Sequence, residues 1–165
     1  MNLRILILPL ILLVFNLHGQ GKFDTVDGFS FRIDGMSFTL KREVILKKFG
    51  KPLKVFEPNY ECGFLSESEQ GKKYYSLVYK HFKFTGNNKE GYLLEEILLE
   101  PALPNKVTFK SKALSHKTTV KEFEAIFGVK ISGSEKVLYN KGADDAFVFT
   151  FIKGRLVKIE YWSPC

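Results

Sequence analysis

The chain has 165 residues, of which 45% are hydrophobic, 15% aromatic and 26% charged, and its net charge is +7. This length and composition indicate one globular domain, or two small units that share a core. They exclude a disordered chain, a collagen-like chain and a multidomain assembly, and two cysteines are too few for a disulfide-held mini-protein.

The first 21 residues are predicted to be a secretory signal peptide. Arg4 precedes an apolar run of 11 residues from Ile5 to Phe15, and small and polar residues follow up to Gly21. Because a membrane-spanning helix needs roughly 20 residues, we favour a cleaved signal over its alternative, an uncleaved anchor. Cleavage is expected near Gly21, or after Gly19. The mature chain, with no further membrane-spanning segment, is expected to be periplasmic or secreted.

Export determines the redox state that we expect for the two cysteines, Cys62 and Cys165. An oxidising compartment favours a disulfide, and an intramolecular bond has no other pairing available. Such a bond would tie the C-terminus to the first third of the chain. The alternatives are Cys62 as a nucleophile, which lacks a nearby base, and two free thiols in a reduced protein.

An internal repeat organises the rest of the chain. The segment Phe29–Gly50 aligns with Val107–Gly128 at a fixed offset of 78, with four identities in 22 positions. Both segments predict a strand, a turn, a short strand, a helix and a glycine stop. In the first copy, the alternation from Phe29 to Ile33 predicts the strand and Asp34-Gly35 predicts the hairpin turn.

The helices are predicted from the change to a 3.6-residue period. In the first copy the helix spans about Thr39 to Phe49 and ends at Gly50, with the apolar residues Leu40, Val44, Ile45 and Phe49 on one face. In the second copy Thr119 and Glu122 have capping-box spacing. The apolar stripe of this second helix consists of Val120, Phe123, Ile126 and Phe127.

Antiparallel strands are predicted after each helix. In the first copy they span about Tyr74–Phe84 and Tyr92–Leu99, with a turn over 86–88. In the second copy, Phe147 to Ile152 and Val157 to Tyr161 alternate in polarity on either side of a Lys153-Gly154 turn. The sequence therefore predicts an α+β fold of two tandem units, each with a β-hairpin, one helix and an antiparallel sheet. The units are expected at 22–104 and 105–165.

The order of these patterns carries a resemblance to a known superfamily. A helix that ends in Phe-Gly-Lys-Pro (Phe49–Pro52), followed by antiparallel strands and repeated once behind a signal peptide, resembles the superfamily of β-lactamase inhibitory proteins and small outer-membrane assembly lipoproteins. It is equally similar to other exported bacterial families with this order of elements. The resemblance covers about Phe29 to Trp162 and implies compact α+β units, often in tandem, and a protein-binding module rather than an enzyme.

Motifs for catalysis, metals and cofactors do not occur in the sequence. His81 and His116 are the only histidines of the expected mature chain, and CxxC, HExxH, GxSxG, GxGxxG and P-loop patterns are missing. The carboxylate pairs are Glu95-Glu96, Asp144-Asp145 and Glu67/Glu69. Adjacent strand residues point to opposite faces, so Glu95 and Glu96 are not expected to share a substrate. We predict no catalytic residue, no metal site and no cofactor.

Positive charge is the remaining functional signal. Lysines outnumber arginines 21 to 4, which argues against nucleic-acid recognition because base and phosphate contacts favour Arg. The densest basic cluster lies on and after the first helix, and it is interpreted as a solvated face or as an interaction patch: Lys41, Arg42, Lys47, Lys48, Lys51 and Lys54.

These observations predict an exported, non-enzymatic module that binds another protein. The alternatives are an inhibitor or immunity-type protein against a secreted hydrolase, and a carboxylate-dependent enzyme with its site between the units. An anionic envelope surface is a further candidate partner for the basic patch.

Overall fold

The computed structural model describes residues 23–58 and 71–164. Two α-helices lie in this part of the chain, α1 (Arg42–Phe49) and α2 (Val120–Phe127). The strands are β1 (Thr25–Val26), β2 (Phe31–Ile33), β3 (Met36–Ser37), β4 (Thr39–Leu40), β5 (Lys54–Phe56), β6 (Tyr75–Val78), β7 (Phe82–Asn87), β8 (Gly91–Leu98), β9 (Val107–Phe109), β10 (Lys112–Leu114), β11 (Glu135–Asn140), β12 (Ala146–Ile152) and β13 (Arg155–Trp162).

A large mixed sheet forms the body of the molecule. Its nine strands include the path β1-β11-β12-β13-β8-β7-β6-β5, and β4 pairs with the part of β8 that β13 leaves open. Strand β1 runs parallel to β11, and the remaining pairs are antiparallel. A second sheet of four strands has the order β10-β9-β2-β3.

The prediction of two balanced α+β units is wrong. Strands make up 45% of the structure and helices 15%, and one nine-stranded sheet runs through both halves of the chain. The two sheets expected for the separate units merge where β13 pairs with β8, because this pairing removes an exposed edge from each. The hairpins also join, since β2 pairs with β9 and places the aligned Phe31 and Phe109 opposite one another.

Local turn and cap signals agree with the structure. The Asp34-Gly35 and Lys153-Gly154 turns are confirmed, each with positive φ at both residues. The capping box of α2 is confirmed as well: the Thr119 hydroxyl accepts from the backbone N–H of Glu122, and the Glu122 carboxylate accepts from that of Thr119.

Several predicted boundaries are wrong. Thr39 and Leu40 form β4 instead of the first turn of α1. Phe29 belongs to a short 3-10 helix, Gly28–Ser30, and is 81% exposed rather than part of the following strand. Val44, predicted on the apolar face of α1, is 40% exposed.

The strand predicted over Tyr74–Phe84 is two strands, β6 and β7, separated by a bend that contains His81. The turn after β7 spans 88–90.

Aromatic side chains fill the space between the large sheet and the elements that cover it. From α1, Phe49 lies 4.9 Å from Phe82, and from α2, Phe123 lies 4.7 Å from Phe149 (ring centroids). Phe31 of the small sheet lies 4.6 Å from Phe147. Both helices and the four-stranded sheet therefore pack on one face of the large sheet. We call the opposite face the outer face.

Candidate functional site

The outer face is a surface that extends across the large sheet from β5 to β11. Side chains that alternate with the buried phenylalanines of β7 and β12 point to it, and the strand register carries this alternation across the sheet. One row of cross-strand neighbours runs from β5 to β11 on this face: Lys54, Val78, Lys83, Glu96, Glu160, Val148 and Val137.

Charged side chains meet at the centre of the outer face, where β7, β8 and β13 lie side by side. The Lys158 ammonium lies 2.7 Å from a Glu160 carboxylate oxygen, and the Lys83 ammonium lies 3.1 Å from a Glu95 oxygen. We call this group the central charge cluster, and its members are Lys83, Glu95, Glu96, Glu135, Lys158 and Glu160. Four glutamates and two lysines give it a net charge of −2 in a chain of net charge +7.

A β-bulge determines which carboxylates join this cluster. The register between β7 and β8 shifts after Lys83, so that Lys83 faces Glu96 and Phe84 faces Leu94. Glu95 is the extra residue, and its carboxylate accepts a hydrogen bond from the Thr85 hydroxyl on the outer face. The expectation that Glu95 and Glu96 point to opposite faces is therefore wrong. Regular alternation fails at a bulge.

Lys158 holds the surrounding carboxylates together. Glu96 and Glu160 are direct cross-strand neighbours, an arrangement of like charges that is unfavourable without a cation nearby. The hydrogen bond to Glu160 raises the pKa of Lys158, as do the charges of Glu160, Glu96 and Glu135, whereas burial acts in the opposite direction. The ammonium therefore stays charged and offsets the repulsion between the two carboxylates.

Exposed apolar side chains from β11, β12 and β13 lie on the outer face beside the cluster. Ile152 is 59% exposed, Trp162 47% and Val137 40%. Exposed aromatic side chains are enriched at protein–protein contact surfaces, Trp above all, and charged side chains lie mostly around such apolar anchors. The outer face thus offers both apolar anchors and fixed charges.

Asp144 and Asp145, predicted as a turn, lie between β11 and β12. Asp145 is buried and accepts a hydrogen bond from the Asn140 side-chain amide at 3.1 Å. Burial raises the pKa of Tyr161 to about 12, assisted by its hydrogen bond to Asp145 and by the charge of that carboxylate. Asp145, directly before β12, therefore bonds to side chains near the ends of β11 and β13. Glu67 and Glu69 lie outside the described residues.

The six residues of the predicted basic patch separate into different environments. Lys48 pairs with Asp34 at 3.4 Å on one side of α1, and Arg42 is half-buried. The remaining members are exposed, and they lie before α1, on it and after it: Lys41, Lys47, Lys51 and Lys54. The predicted disulfide between Cys62 and Cys165 falls outside the described residues, as does the predicted signal peptide.

An open groove of about 470 Å³ lies between β10 and α2. Its lining includes Lys112, Lys117, Glu122 and Ile126, and it contains no member of the central charge cluster. Within the described residues, no group of three or more His, Cys, Asp and Glu side chains is placed to hold a metal ion. None of the helices described there is long and apolar enough to cross a membrane.

The cluster was not predicted, although its residues were visible as glutamates and lysines of strands. Pairing of β8 with β13 brings Glu96 and Glu160 together across 64 residues of sequence, and no local pattern encodes that pairing. Comparisons with protein-family models, with curated proteins and with solved structures found no match. The resemblance to β-lactamase inhibitory proteins therefore stays a prediction.

Proposed function

We propose that this chain is an exported, non-enzymatic protein-binding module, and that its binding surface is the outer face of the large sheet. The observation that supports this proposal is the combination of the central charge cluster with exposed Val137, Ile152 and Trp162 on a face opposite to the helices. Hydrogen-bonded strands hold these side chains in place, so binding needs little reordering of the backbone.

The charge of the outer face indicates the chemistry of the partner. The central charge cluster carries −2, so a complementary surface would present lysine or arginine side chains at its centre. Trp162 and Ile152 would bury apolar area beside these charges. Arginine is the better match for the pair Glu96 and Glu160, because its planar guanidinium reaches two carboxylate groups at once.

Binding is a better match to this geometry than catalysis. The carboxylates of the cluster lie on one face of the large sheet, and the groove between β10 and α2 contains none of them, whereas acid–base chemistry gains from a cleft that excludes water. The Glu160 carboxylate is paired with Lys158, and Glu96 is its direct cross-strand neighbour, so oxygen atoms of both side chains can accept hydrogen bonds from a partner.

The test is affinity capture from the envelope fraction of the cells that make the protein. The double variant Ile152→Ser/Trp162→Ser removes an aliphatic and an aromatic side chain from the outer face. The matched control is Phe29→Ser/Val44→Ser, since Phe29 is 81% and Val44 40% exposed on other elements.

We expect the wild type and the control to retain one protein in common and the outer-face variant to lose it. Retention of that protein by the outer-face variant, or its loss from the control alone, would reject the outer face as the binding surface. A turnover activity abolished by Glu96→Gln would reject a purely binding role.

A further inference from the structure

A basic and apolar ridge lies where α1 ends and β5 begins. Its side chains are all exposed, and among them Leu53 is 76% exposed, a high value for a large apolar residue. We call this surface the basic rim, and its members are Lys47, Lys51, Leu53, Lys54, Val55 and Phe56. It lies at the edge of the large sheet, because β5 is the last strand in the order.

Backbone contacts fix the rim to the rest of the fold. At the end of α1, Gly50 has a φ of 77°, which reverses the chain, and its carbonyl accepts a hydrogen bond from the Tyr79 hydroxyl at 2.9 Å. The N–H of Leu53 donates to the Val78 carbonyl at 2.8 Å and leads into β5. The exposed side chains of the rim therefore stand on an ordered backbone.

The lysines of the rim are available for an external anion. Among the described residues, Lys47, Lys51 and Lys54 take part in no ion pair, in contrast to Lys48 on the other side of α1. The Lys54 ammonium lies 4.9 Å from the centre of the Phe56 ring. The rim thus combines three lysines with no ion pair and exposed apolar side chains, one of which, Phe56, lies against the Lys54 ammonium.

We propose that the basic rim docks on a bilayer surface that contains anionic phospholipid. Lysine ammonium groups reach phosphates at the surface, while short apolar side chains beside them enter the boundary between headgroups and acyl chains. Lysine suits this array because its compact charge on a flexible stem needs no fixed geometry, whereas recognition of one protein site favours the planar fork of arginine.

Sedimentation with lipid vesicles tests the proposal on the full chain. One set of vesicles contains only phosphatidylcholine, and the other also contains about 30% phosphatidylglycerol. The apolar run Ile5–Phe15 would enter either kind of vesicle, so the measured quantity is the ratio of the two partition coefficients. We expect this ratio to exceed tenfold at low salt and to fall as salt screens the charges.

Variants assign the binding to the rim. Each lysine near an anionic surface raises the partition coefficient roughly fivefold. The triple variant Lys47→Gln/Lys51→Gln/Lys54→Gln should therefore lower the ratio by about a hundredfold. Where the wild-type ratio is itself below about a hundred, the variant should bring it to one. Leu53→Ser, a change at an exposed position, should lower partitioning to anionic vesicles while leaving the circular dichroism spectrum unchanged.

A charge-matched control separates the rim from the general basicity of the chain. Lys112→Gln/Lys117→Gln/Lys121→Gln removes three exposed lysines near the start of α2. We expect this control to lower the ratio of the two partition coefficients by less than about tenfold, against about a hundredfold for the rim variant.

A wild-type ratio near one, or equal losses from both triple variants, would overturn the proposal. The proposal would also be overturned if the chain bound an acidic protein through the rim lysines and showed no preference for anionic vesicles. Lys54 also belongs to the row on the outer face, whereas Leu53 does not, so Leu53→Ser tests the rim separately from the outer face.

Discussion

Phe31 is the residue on which the packing of the two sheets depends most. Its side chain is fully buried, and five phenylalanine rings lie within 6.2 Å between centroids: Phe38, Phe109, Phe127, Phe147 and Phe149. Substitution by alanine removes most of an aromatic side chain from this cluster and leaves a cavity that rigid strands on both sides cannot close.

The expected loss can be estimated from the buried area. An aromatic side chain buries about 150–250 Å², and at about 25 cal/mol per Å² this corresponds to roughly 4–6 kcal/mol. Alanine retains a part of that area, so Phe31→Ala should lower the free energy of unfolding by about 3–5 kcal/mol. Native domains are stable by only about 5–15 kcal/mol, so this single change removes a large fraction of the stability.

Urea denaturation followed by circular dichroism measures this loss, with Phe29→Ala as the matched control. Phe29 lies two positions earlier and is 81% exposed, so its removal should change the free energy of unfolding by less than about 0.5 kcal/mol. The slope of the free energy of unfolding against urea concentration should be the same for both variants, because each exposes a similar surface area on unfolding. A loss below about 1 kcal/mol for Phe31→Ala, or equal losses for the two variants, would refute the packing of Phe31 between the two sheets.

Three further changes test separate parts of the fold. Gly86→Ala should destabilise the protein by about 1–3 kcal/mol, measured by urea denaturation, because an added Cβ would lie 2.0 Å from the Gly91 carbonyl oxygen. Thr119→Ala removes the capping box of α2 and should cost about 1 kcal/mol in the same assay, whereas Thr119→Ser should retain most of the stability. The Tyr161 hydroxyl ionises at a higher pH in the folded chain, where its pKa is about 12, than at the ordinary value of 10.0. The free energy of unfolding should therefore be retained below pH 10 and fall as the pH rises towards 12. Tyr161→Phe should flatten that part of the profile, and an unchanged profile would contradict the placement of its hydroxyl beside Asp145.

Local signals in the sequence predicted local structure. The Asp34-Gly35 and Lys153-Gly154 turns and the capping box at Thr119 follow from the conformational preferences of a few adjacent residues, and the structure confirms each. The apolar stripe of α2 is confirmed too, with Phe123 fully buried. These features depend on few residues, which is why a single sequence is sufficient to predict them.

Nonlocal pairing could not be predicted in the same way. The association of β2 with β9 and of β8 with β13 joins residues 60 or more positions apart, and the pairing of β8 with β13 converts two expected sheets into one. The bulge at Glu95 shifts the alternation of β8 by one residue, although neither Gly nor Pro lies at that point. The central charge cluster depends on both features, so the sequence contained its residues without indicating that they meet.

Site-specific photo-crosslinking in living cells tests the proposed function most directly. A photoreactive amino acid replaces Trp162 or Ile152 on the outer face, and Phe29 or Lys121 on other exposed elements as matched controls. We predict one crosslinked protein of constant mass from both outer-face positions and none from the controls. Crosslinks that arise only from Phe29 or Lys121 would contradict the outer face as the binding surface.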